Sequence, residues 1–88
     1  MFKRLLFCSL ALAAQSAFDK GNDHLRAGRL ADAEQAYKLH LRTNPNDAQA
    51  LANLGAVQAR REDYAAAILS YQKALKAAPS LTPIFLNL

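Results

Sequence analysis

Between residues 15 and 77 the apolar positions recur at intervals of three and four, the spacing of a single helical face, and polar breaks divide them into four blocks. The pattern predicts helices near 15–28, 31–43, 48–61 and 64–77. In the third block Leu51, Leu54 and Gln58 fall on one side; in the fourth, Tyr64, Ile68, Tyr71, Leu75 and Ala78 do. The breaks carry their own signals. Gly28 punctuates the first, and in "NPND" Pro45 ends one helix while Asn46 or Asp47 can cap the next. Connections this short force neighbouring helices to lie antiparallel. The expected fold class is therefore all-α.

Shifting the chain over itself by 34 residues aligns Gly21 with Gly55, Ala33 with Ala67, Tyr37 with Tyr71, Leu41 with Leu75 and Pro45 with Pro79. Leu30 falls on Tyr64, large apolar on large apolar. A glycine inside a helix costs about 1 kcal/mol relative to alanine, so two at matching positions ask for a packing reason. Gly55, Ala67 and Ala74 let paired backbones approach, and Tyr64 and Tyr71 are expected to fill the space around them.

The stretch from Ala48 to Leu81 resembles a tetratricopeptide repeat, a 34-residue helix-turn-helix unit. Leu51 stands in the family's usual Trp place, Leu54-Gly55 in its Leu-Gly, Ala67 and Ala74 in its two Ala places, Tyr71 in its aromatic place and Pro79 at its close. Gln58 replaces the usual Tyr, and Glu62 replaces the Gly that many repeats place at the inter-helix turn. Residues 14–47 resemble the family less well: Ala17, Lys20, His24 and His40 depart from its pattern, as the solvent-facing end of an array would. Gly21, Ala33 and Tyr37 keep it. At the other end Thr82 opens a third unit in which Phe85 takes the Trp place and Asn87-Leu88 aligns with Asn53-Leu54. The resemblance implies an α-solenoid with a right-handed superhelix. Because such stacks usually need three units, the 88 residues are expected to be the front of a longer array or a truncated copy of one, with self-association through the open end as a further expectation.

The first thirteen residues form a separate segment. A basic head, "MFKR", precedes the apolar run "LLFCSLALAA", and Ala11-Leu12-Ala13 has the small-x-small form of a signal-peptidase site, with cleavage after Ala13, Ala14 or Ser16 all compatible. The run is shorter than the roughly 20 apolar residues of a spanning helix, so no stable membrane span is expected once it is removed. An uncleaved anchor or a buried helix are the alternatives. Export to a bacterial periplasm or beyond is the corresponding localisation, with the cytoplasm as the alternative. Removal would take Lys3, Arg4 and the sole cysteine, Cys8, and lower the formal charge from +4 to +2, leaving neither disulfide nor thiol chemistry. The basic residues are spread along the chain, so a nucleic-acid surface is not expected.

No residues assemble into a recognisable catalytic motif. His24 and His40 lie on different helices without the ligands that would complete a zinc site, and Ser70 and Ser80 lack a triad. "RRED" at 60–63 reads as a solvated turn with offsetting charges. No cofactor or metal is expected, and the chain reads as a non-enzyme. Family resemblance implies instead that the first helices line a concave groove for a peptide or protein partner. The groove residues would be Phe18, Asp19, Asn22, Arg26, Gln49, Asn53, Arg60 and Asn87, with Ala52 and Ala56 between them. Members that grip the terminal carboxylate of heat-shock chaperones place cations where this chain has Phe18, Pro83 and Asn87, so that specificity is not implied. The alternative reading is the repeat array of a larger enzyme, such as a glycosyltransferase or peptidase.

Overall fold

The computed structural model describes residues 16–81; the expected signal segment, residues 1–13, and the expected third unit, with Asn87, lie outside them. Four α-helices follow one another: α1 (Ser16–Arg26), α2 (Leu30–Thr43), α3 (Ala48–Arg60) and α4 (Tyr64–Ala77), closed by a 3-10 turn at Pro79–Leu81. Each packs on the next in chain order, and the described residues contain no strand.

The turns explain the boundaries. After α1 the Arg29 amide donates to the His24 carbonyl and the Gly28 amide to that of Leu25, a Schellman motif with Gly28 at φ +78°. Exactly one repeat later Asp63 donates to Gln58 and Glu62 to Ala59, with Glu62 at φ +63°. Glu62 thus occupies the left-handed position that suits glycine. Between the repeats Pro45 lies in the turn that ends α2, and the Asp47 carboxylate accepts from the Ala50 amide to cap α3. Asp63 caps α4 in the same way through Ala66.

Inside each repeat a tyrosine lies across a glycine. A Cβ built on Gly21 would sit 2.6 Å from Tyr37 Cε1, and one on Gly55 would sit 2.7 Å from Tyr71 Cε1. Both glycines are therefore required by close approach. Ala33, Tyr37, Leu54 and Val57 form the main core, with Phe18, Leu25, Leu30 and Leu41 against it; Leu51, Ala52 and Ala74 form a second cluster that shares Leu41.

One expected face needs correction. Tyr64 and Ile68 are 60% and 56% exposed, and α4 instead buries Ala67, Ser70 and Ala74 against α3. The reason lies in the repeat offset. Their counterparts Leu30 and Glu34 are covered because α3 lies over that side of α2, whereas no described element lies over the same side of α4. Of the two tyrosines expected to surround Gly55, only Tyr71 does so.

Candidate functional site

The first helices of the two repeats meet through a chain of amides. Asn22 Oδ1 on α1 accepts from the hydroxyl of Tyr37 and from Asn53 Nδ2 on α3 at 3.2 Å, and Asn53 Oδ1 accepts from Gln49 Nε2 at 3.1 Å. Side-chain carbonyls hold both asparagines in one orientation, so three predicted groove residues form a connected polar strip. Burial pushes the Tyr37 hydroxyl above the usual tyrosine range, with hydrogen bonding at Asn53 and the charge of Arg26 opposing it. Burial likewise raises Tyr71, opposed by the charge of Arg60. Arg26 and Arg60, one repeat apart, thus bear on equivalent tyrosines.

The other predicted residues divide. Asp19, Gln49, Arg26 and Arg60 are exposed, and Arg26 pairs with Asp23 at 2.8 Å on the surface of its own helix, an arrangement of little energetic value. Phe18 is half-buried. Its ring lies edge-on to Tyr37 at 5.9 Å and against His40 at 5.3 Å, so it belongs in part to the core beneath the strip.

Two polar clusters escaped sequence reasoning. Glu34, 6% exposed, receives Arg61 Nη1 at 2.6 Å, Lys38 Nζ at 2.8 Å and Gln58 Nε2 at 3.4 Å, while Ser70 Oγ donates to Gln58 Oε1 at 2.6 Å. This network ties α2, α3 and α4 together; residues 60–63 are an exposed turn as expected, but Arg61 also spans the boundary between the repeats to reach Glu34. Burial alone would raise the Glu34 carboxyl, but hydrogen bonds from Lys38, Arg61 and Gln58 hold it below the usual range. The one sequence signal was an acid at the place where the second repeat has Ile68. The second cluster is His40 with Asp47, 2.8 Å apart. Burial raises Asp47, and hydrogen bonds from His40 and the Ala50 amide outweigh it to lower the carboxyl.

His24 Nδ1 accepts from Arg29 Nε at 2.9 Å, far from any metal-like grouping; among the described residues no three His, Cys, Asp or Glu side chains come together as ligands. No described helix is long and apolar enough to cross a membrane.

Comparison with known proteins agrees with this architecture. The family described as "Tetratricopeptide repeat" matches residues 18–81. Cellulose synthase operon protein C of Komagataeibacter xylinus is 41% identical over 59 residues, 67% of this chain but 4% of that protein. Cellulose synthase 1 operon protein C of the same organism is 38% identical over 68 residues, 77% of this chain and 5% of the relative. The operon protein C of Komagataeibacter sucrofermentans is 39% identical over 59 residues. The chain therefore spans only about a twentieth of the length of these relatives. With glycine under tyrosine in both units, paired turns 34 residues apart and a family match across both repeats, the chain belongs to the tetratricopeptide repeat family.

Proposed function

We propose that this chain is a non-catalytic interaction module that holds an extended peptide segment of a protein partner along a concave groove formed by α1 and α3. The observation that supports it most is the Gln49-Asn53-Asn22 amide strip, which crosses from one repeat to the next with exposed Arg26 and Arg60 on the same two helices. Amides satisfy the backbone of a bound strand through paired donors and acceptors without demanding a particular side chain. The arginines then favour a partner with carboxylates nearby.

The leader segment supports export from a bacterial cytoplasm, with the mature protein acting as a scaffold beyond the inner membrane. The relatives are named as proteins of a cellulose synthase operon, and the corresponding role proposed here is to hold a component of an exported polysaccharide machinery. Their length favours one further reading, in which the repeats form part of a much larger polypeptide that carries activity elsewhere.

Photo-crosslinking in the native host tests the groove. A benzophenone side chain at Gln49 should yield a discrete partner adduct that Asn22→Ala/Asn53→Ala removes, while the same group at Ser80 should not. Equal adducts from both positions, or an adduct insensitive to the double substitution, would overturn the assignment.

A further inference from the structure

The sequence scatters its basic residues, but the fold collects several of them on the side formed by the second helices. There α2 and α4 stand apart over α3 and leave an open cleft of about 390 Å³. Its floor is largely apolar, built from Leu41, Leu51 and Leu54 with the buried Gln58 and Ser70 beside them, and its walls carry Lys38, Lys73 and the 58%-exposed Leu69. A second cavity of about 600 Å³ continues it past Pro45 and Leu51, and there Lys73 is joined by Lys76. Each volume falls within the range of ligand-binding clefts.

Charge is unbalanced along this cleft. Lys38 is engaged by Glu34, but Lys73, Lys76 and the neighbouring Arg42 form no ion pair among the described residues. No carboxylate lines either cavity among the described residues. Long lysine stems over an apolar floor can cover leucine-sized groups while their ammonium ends reach a ligand's acids.

We propose that this cleft is a second docking site, distinct from the α1/α3 strip, for an acidic peptide segment of a protein partner that carries leucine-sized apolar side chains. An elongated cleft with its apolar surface below the cations suits an inserted chain. A flat anionic bilayer would reach the lysines but not the floor.

The test uses the full chain and a fluorescein-labelled decapeptide, EELLEELLEE, followed by fluorescence anisotropy. The counterpart QQLLQQLLQQ and vesicles of phosphatidylglycerol serve as comparators. Saturable binding of the acidic peptide is expected, weakened about tenfold by Lys73→Gln/Lys76→Gln, since exposed ion pairs contribute up to ~1 kcal/mol each. Binding should fall steeply with salt and survive Asn53→Ala. Lys73→Gln/Lys76→Gln should keep the parent's helical circular dichroism, because both lysines are exposed. Equal binding by the lysine variant, loss of binding in Asn53→Ala, equal affinity for the glutamine peptide, or attachment to vesicles alone would each overturn the proposal. So would self-association of the chain, measured by sedimentation, that Lys73→Gln/Lys76→Gln changes.

Discussion

Alanine in place of Gly55 should destabilise the protein, against the ordinary rule. In a helix interior Gly→Ala is worth about 1 kcal/mol of added stability from propensity alone. Here the new methyl would lie 2.7, 2.8 and 3.1 Å from three ring atoms of Tyr71. A rigid ring cannot yield as a flexible chain end would, so either the ring leaves its rotamer or α3 and α4 separate. Overpacking of this kind costs roughly 1 to 3 kcal/mol, which reverses the sign of the propensity gain at most of that range. For a chain of this size the loss corresponds to a fall in Tm of about 4 to 8 °C per kcal/mol. Thermal and urea melts followed by circular dichroism at 222 nm read it directly. Combining Gly55→Ala with Tyr71→Leu should cost less than the sum of the two single changes, because removing the ring removes the clash. A Gly55→Ala protein as stable as the parent, or a strictly additive double variant, would refute the tyrosine-over-glycine packing.

Other perturbations separate the remaining parts of the fold. Glu62→Gly should raise stability by roughly 0.5 to 1 kcal/mol in the same melts, since it relieves a left-handed residue. Glu34→Ala should cost about 2 to 3 kcal/mol, because charge-assisted bonds to Arg61 and Lys38 are lost beside buried Gln58. Acid titration should show the same groups. Glu34 and Asp47 have folded pKa values below their ordinary 4.5 and 3.8, so their stabilisation is complete above those values and drains as pH falls through the lowered ones. The urea midpoint should therefore hold steady from pH 7 to about 5 and decline below about 4, and Glu34→Gln should flatten that decline. Asn53→Ala should lower partner capture at Gln49 while costing no more than about 1 kcal/mol of stability.

What the residue pattern disclosed was whatever depends on local spacing. Helix ends fell within two residues of their observed positions, because Gly28, Pro45 and the capping aspartates act over a single turn. Gly21 and Gly55 announced a close approach, and the structure supplies the tyrosine ring above each. The clustering of Asn22, Asn53 and Gln49 followed from placing first helices side by side. What escaped depends on neighbours distant in sequence. From the sequence alone Arg61 reads as a turn charge, because its partner Glu34 is 27 residues away on another helix. Tyr64 and Ile68 share the periodicity of a buried face, but periodicity marks a face suited to burial without saying whether an element lies on it. Phe18 faces a similar ambiguity: a large ring on a first helix can look into the groove or down onto Tyr37 and His40, and only tertiary contact decides.

The side-by-side placement of α1 and α3 underlies the proposed groove, and a short thiol crosslinker measures it most directly. In a Cys8→Ser background, Asn22→Cys/Asn53→Cys treated with bismaleimidoethane should give an intramolecularly bridged monomer in high yield under native conditions, with its helical spectrum unchanged and partner capture at Gln49 abolished. Bridging only between molecules, or no more bridging in buffer than in urea, would contradict the arrangement of the two repeats.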